Sequence, residues 1–272
     1  MTTPITTDFN GPLRRCETNP RYFADATGRP VYLTGSHTWA VMQDMWLESK
    51  PHRATDYAGF LTMLEDNGHN FLRFWQYMHP RNARWSTETT FFDPQPYKRT
   101  GPGAANDGLP KFDLTQWNDA YFLRLRERVQ EAGKRGIYVG VMLFEAWIFK
   151  GANADQDPWP FHPMQPANNV NGVTDDPTLK DGPAAGRAWN LFSLNCQQLL
   201  AHQEAFARKV VDTLNDLDNV LYEICNEVPG TPEALAWQDH MCALIQAYER
   251  TKPAHHPVGI TAEGAPRRTP RC

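Results

Sequence analysis

Asn219-Val220-Leu221-Tyr222-Glu223-Ile224-Cys225-Asn226-Glu227, followed by Val228-Pro229-Gly230, is the stretch that decides the fold. Val, Leu, Tyr and Ile suit a pleated, packed surface. A near-continuous apolar run of this kind belongs to a strand covered on both faces, as in a parallel sheet. Pro229 cannot donate to a ladder and Gly230 favours a turn, so the strand stops there. It ends on an Asn-Glu pair. A carboxylate at the carboxyl end of a parallel strand stands where (β/α) barrels perform their chemistry.

Outward from this strand the chain alternates strand, loop and helix. Arg21-Tyr22-Phe23-Ala24 and Pro30-Val31-Tyr32-Leu33-Thr34 flank a turn at Asp25 to Gly28 and predict a hairpin leading into the first barrel strand. Helical spacing runs from Thr55 to Asn67, closed by Gly68, and again from Thr115 to Arg135, with Asp113 or Thr115 as its cap. Strands are predicted at Asn70 to Trp75, Ile137 to Phe144 and Pro257 to Thr261. Further helices are predicted from Gln203 to Leu217 and from Thr231-Pro232-Glu233, where a threonine cap precedes a first-turn proline. Two long loops, Tyr77 to Leu114 and Ala146 to Ala201, each follow a strand and would lie on its carboxyl-end face.

This pattern is α/β. An open doubly wound sheet and a (β/α)8 TIM barrel both fit the alternation. No glycine-rich phosphate fingerprint follows the first strand, which weakens a nucleotide-binding sheet. The expected fold is a single TIM-barrel domain over residues 1–272, with about five β/α units visible against the eight of a closed barrel. Residues 262–272, rich in Pro and Arg and without apolar period, form an atypical tail and suggest a truncated barrel.

Composition narrows the function. The chain has 272 residues, 41% hydrophobic and 21% charged, with a formal net charge of −4. No basic footprint supports nucleic-acid binding. No apolar run approaches the ~20 residues of a membrane span, and no secretory h-region follows Met1, so the location is read as cytoplasmic or unknown. Five scattered cysteines, Cys16, Cys196, Cys225, Cys242 and Cys272, show no C-x-x-C spacing, and Cys225 and Cys242 read as buried apolar residues. Of nine tryptophans, Trp85, Trp159 and Trp189 fall in loops, as packing residues or as flat faces for sugar rings.

Several side chains would converge on one mouth: His37 and Trp39 after the first strand, Trp75 and His79 after the second, Glu145 and Trp147 after the third, Asn226 and Glu227 after the fourth. Packing is the alternative for each aromatic. A turn-forming role is the alternative for Asn226, and a capping or salt-bridging role for Glu227. Arg73, mid-strand, requires a carboxylate partner, because a buried unpaired charge is very costly. Glu223 shares the parity of Glu227 one repeat deeper and is a candidate partner with a structural role. His37, His79 and Glu145 lack H-x-H or H-E-x-x-H spacing, so no metal site is expected.

The Asn-Glu pair closing the fourth strand, the arginine within the second, and the runs Tyr32-Leu33-Thr34-Gly35-Ser36-His37-Thr38-Trp39 and Asp216 to Ile224 resemble the clan A retaining β-glycoside hydrolases, in a cellulase-like branch, over residues 19–261. The resemblance implies a glycosidase acting on a β-linked oligosaccharide or polysaccharide, without a cofactor. It implies Glu227 as general acid/base, Asn226 holding a sugar hydroxyl, and Arg73, His37, Trp39, Trp75, His79, Glu145 and Trp147 as substrate-binding or supporting residues. It also implies a nucleophilic glutamate on a seventh strand, held by the arginine equivalent to Arg73. No such strand is visible. Glu263 comes too early, and Glu145 is the in-chain candidate. Retaining hydrolysis needs two carboxylates ~5–5.5 Å apart, so activity of this chain is expected to be impaired. The alternative is a non-catalytic carbohydrate-binding barrel. The oligomeric state is left open.

Overall fold

Each apolar strand is followed by an amphipathic helix that must bury its apolar stripe, and the strand order shows how. In the structure, a computed structural model, residues 9–149, 155–173 and 187–263 are described, with backbone alone at 187–189 and 262–263. Strands β1 (Gly35–Ser36), β2 (Phe71–Phe74), β3 (Tyr138–Glu145), β4 (Val220–Asn226) and β5 (Val258–Gly259) lie side by side in chain order, each parallel to the next. A doubly wound sheet reverses its strand order at a switch point. No reversal occurs among these five strands, so the sheet is wound as a barrel and is an incomplete one.

Helices α1 (Tyr57–Asp66), α2 (Asp119–Lys134), α3 (Gln197–Leu214) and α4 (Pro232–Glu249) connect successive strands. Their ends are chemically marked. Asp56 accepts the Gly59 amide at the start of α1, and Thr231 accepts that of Ala234 ahead of Pro232 in α4. Gly68 and Gly136 follow α1 and α2 at φ of 67° and 72°, a left-handed turn that suits glycine and feeds the next strand. One sheet face packs on the helices: Phe74 meets Tyr57 of α1, and Phe144 meets Phe206 of α3 and Trp237 of α4. On the other face Phe71, Tyr138 and Leu221 pack against Leu13, Phe23, Val31 and Leu33. The expected hairpin is therefore present. It gains Arg14–Arg15 as a third strand and covers the amino-end half of that face.

Two expectations about boundaries are corrected. The stretch from Tyr77 to Leu114 is not an irregular loop. Thr90–Asp93 pairs with Asp44–Leu47, and Tyr97–Ala104 pairs with Pro110–Trp117, giving two antiparallel ribbons. Consequently α2 starts at Asp119, capped by Asn118, and not near Thr115. The Asp113 carboxylate accepts from the backbone and hydroxyl of Thr115, a local turn inside the ribbon. Likewise α3 begins at Gln197, six residues before the expected Gln203, because Leu199 and Leu200 extend its buried stripe. Cys16, Cys196, Cys225 and Cys242 are buried and form no disulfide; Cys272 lies outside the described residues. Among the described residues no helix is long and apolar enough to cross a membrane.

Candidate active site

The carboxyl ends of β2, β3 and β4 carry one continuous polar network. Arg73 lies opposite Gly140 in β3, and Glu223 lies opposite Met142. The missing side chain at Gly140 makes room for the Phe71 ring, which stands 2.9 Å from where a Cβ would be. Arg73 Nε donates to Glu223 Oε2 at 2.6 Å, and Nη2 donates to the other carboxylate oxygen and to Asn226 Oδ1, 2.8 Å away. This is a bidentate fork on a carboxylate. Asn226 Nδ2 then donates to Glu145 Oε1 at 3.0 Å, so one amide links the ion pair on its carbonyl side to a second carboxyl on its amino side. Thr261, just past β5, places its hydroxyl 3.1 Å from Glu223 Oε1. The partner anticipated for Arg73 is therefore Glu223.

Glu145 is buried. Burial pushes its carboxyl up to about 8, against the opposing pull of the Asn226 hydrogen bond, the Trp147 backbone amide and the Arg73 charge. At neutral pH Glu145 therefore carries a proton. Glu227 lacks the partial burial that an acid/base role draws on. It is exposed, the first residue past β4, with φ of 46°. A non-glycine residue in the left-handed region is uncommon and is held there by its surroundings. Here Val228–Pro229 pairs in parallel with Ala262–Glu263, tying down the chain after the turn. That pairing also places the backbone of Glu263 beside the β4 loop, while residues 264–272 of the tail lie outside the described residues.

The aromatic residues assemble as anticipated, with one addition. His37 stacks on Trp75 at 5.8 Å, Trp39 meets Trp75 edge-on at 6.3 Å, and Trp85 lies 4.9 Å from Trp39 and 5.7 Å from Trp147. Arg73 lies 4.9 Å over the Trp75 ring, which joins this array to the network. Trp39 is 38% exposed, so the array opens to solvent. Trp85 was legible only as a loop tryptophan, and its position between Trp39 and Trp147 completes the wall. His37 is lowered by partial desolvation and by the Arg73 charge, both of which favour its neutral form.

His79 does not join the mouth. It is buried, packs on Tyr77 and Phe92, and lines a small internal cavity of about 20 Å³ with Glu145, Gln76 and His162. Burial holds His79 well below its ordinary value and His162 down at about 3. Trp159 is also internal, stacked on His162; the side chain of Trp189 lies outside the described residues. Among the described residues, no group of three or more His, Cys, Asp or Glu is arranged to hold a metal ion.

Solved structures share this framework. A glycoside hydrolase family 5 protein from Bacteroides vulgatus is 14% identical with a TM-score of 0.50, over 93% of this chain and 40% of that one. The glycoside hydrolase family 5 mannosidase from Rhizomucor miehei is also 14% identical, with a TM-score of 0.56 over 96% of this chain and 58% of its own. A variant of that mannosidase, in complex with mannosyl-fructose, gives a TM-score of 0.55 at 14% identity, over 94% of this chain and 56% of its own. At such identities the likeness is one of fold, and this chain spans well under two thirds of each of them. No curated protein matches. The family described as a domain of unknown function, DUF6298, matches residues 75–264. That stretch runs from Trp75, at the end of β2, past β5 and holds Glu145, Asn226 and Glu227, so the chain belongs to DUF6298, and its fold is that of an incomplete (β/α) barrel.

Proposed function

We propose that this chain carries the acid/base half of a retaining glycosidase site, with residues 1–272 acting as one domain. The observation that supports this most is the placement of Asn226 and Glu227 at the carboxyl end of β4, beside the Arg73–Glu223 pair and an open wall of tryptophans. In this reading Glu227 protonates the leaving glycosidic oxygen and later activates water. Asn226, held on both sides by Arg73 and Glu145, presents a fixed amide to a sugar hydroxyl. His37, Trp39, Trp75 and Trp147 supply stacking surfaces for the rings.

Double displacement also needs a nucleophilic carboxylate ~5–5.5 Å from the acid/base. Glu223 is engaged by Arg73 and Glu145 is buried and protonated, so neither is poised as a nucleophile. The second carboxylate belongs to a strand beyond β5, and among the described residues there is none. The open aromatic wall supports a second reading, a barrel that binds β-glycans without cleaving them. The substrate in either reading is a β-linked oligosaccharide, with β-mannosides and β-glucosides the first to try.

Turnover of aryl β-mannosides and β-glucosides by the purified chain separates the two. Any genuine activity falls roughly 10²-fold to 10⁴-fold in Glu227→Gln, the range for loss of a general acid/base. Turnover that survives Glu227→Gln removes the role of Glu227. Binding of β-linked oligosaccharides without turnover leaves the carbohydrate-binding barrel.

A further inference from the structure

The ribbons inserted after β1 and β2 enclose a second groove that shares no residue with the Arg73 network or with the wall from His37 to Trp147. It measures about 640 Å³ and is lined by Trp46, Phe91, Arg81, Lys98, Arg99 and Asp93 among others. Trp46 stacks on Phe91 with 5.4 Å between ring centres, giving one wall a flat aromatic edge. Most of its charges are already matched. Arg99 is paired with Asp107 and lies 3.9 Å over Phe112; Lys98 reaches Asp119 at 3.1 Å; Asp93 faces the Arg124 guanidinium. Arg81 is the exception. Its guanidinium lies between the rings of Phe91 and Phe161, 5.6 and 4.5 Å from their centres. Its Nε is buried without a hydrogen-bond partner, and its side-chain contact to an acceptor is a long 3.4 Å approach to the Thr89 hydroxyl. Among the described residues no carboxylate lies within ion-pair reach of it. Arg81 as a whole is only half-buried, and a planar guanidinium fork without an ion-pair partner matches a carboxylate.

The geometry points to this groove as a binding site for a uronic-acid residue of an oligosaccharide, with its carboxylate on Arg81 and its ring against Trp46 and Phe91. Carboxylate recognition accounts for the unpaired fork, and an aromatic wall beside it suits the apolar face of a sugar ring. The inference goes beyond the glycosidase reading and stands on different residues.

Isothermal titration of the full chain tests it with a matched pair of ligands, a β-linked oligosaccharide ending in glucuronate and the same oligosaccharide ending in glucose. The acidic form binds tighter by roughly 10-fold to 100-fold, the value of one hydrogen-bonded charge contact. Arg81→Gln removes that preference, Trp46→Ala weakens both ligands, and Trp39→Ala, on the other wall, leaves the preference intact. Equal binding of the two ligands, no binding of either, or a preference that survives Arg81→Gln overturns the site. Sulfate competing as well as the acidic sugar would reduce it to an anion hole and overturn its sugar chemistry. Circular dichroism melting shows whether Arg81→Gln is folded; should it not be, the Trp46→Ala and Trp39→Ala pair decides. The readout is binding, so it stands or falls separately from turnover and Glu227.

Discussion

At the residue scale, the chemistry of this chain depends on which carboxylate meets which partner. Arg73 and Glu223 are 150 residues apart in the chain and form a forked pair whose side chains are 22% and 16% exposed. Removing the cation strands a half-buried carboxylate and also releases Asn226. Arg73→Met should therefore lower unfolding free energy by about 3 kcal/mol, the lower end for breaking a buried pair, read by urea denaturation. A loss under ~1 kcal/mol would place the pair with ordinary surface bridges. The requirement that Arg73 find a carboxylate was legible in the sequence, since it stands between Leu72 and Phe74. That Asn226 completes the link to Glu145 was not, because it depends on the register of β3 against β4.

At the element scale, the helices obey local rules where the marking residues are free to cap. Thr231 and Pro232 mark the start of α4, and the structure places the cap there. Thr231→Ala should cost about 1 kcal/mol in thermal or urea melts, the usual value of an N-cap. Thr115 offers the contrast. It has the same chemistry, yet its hydroxyl is spent on Asp113 inside a ribbon, and α2 begins at Asp119. Thr115→Ala should leave helix content by circular dichroism unchanged. The ribbons themselves were hidden in the sequence because Gly101-Pro102-Gly103 and Pro110 read as loop punctuation, while their pairing partners are set by contacts along the second strand.

At the scale of the whole molecule, the buried titratable groups set the pH dependence of stability. Glu145 is raised to about 8 from an ordinary 4.5, so its contribution is fully present below 4.5 and is lost as pH rises towards 8. His79 and His162 are lowered from 6.5, His162 to about 3, so their contribution is present above 6.5 and is lost as pH falls. Between 4.5 and 6.5 two histidines outweigh one carboxyl and stability climbs; above 6.5 Glu145 alone titrates and stability declines. Melting temperature should therefore peak near pH 6.5. In Glu145→Gln the decline between pH 6.5 and 8 should vanish, a slope of about 1.4 kcal/mol per pH unit in the parent. A parent profile flat from pH 6 to 8 would contradict a protonated Glu145.

The sequence by itself determined the alternation of apolar strands and amphipathic helices, the parallel sheet that follows from it, and the Asn-Glu pair at the end of its fourth strand. These are periodic or local signals that need no knowledge of neighbours. Only the tertiary structure decided that the strands run in unreversed order, that Glu223 takes Arg73, that Glu145 carries the buried proton while Glu227 faces solvent, and that His79 lies behind the mouth. Each of those depends on register and burial, which arise from contacts between residues far apart in the chain and leave no local period in the sequence.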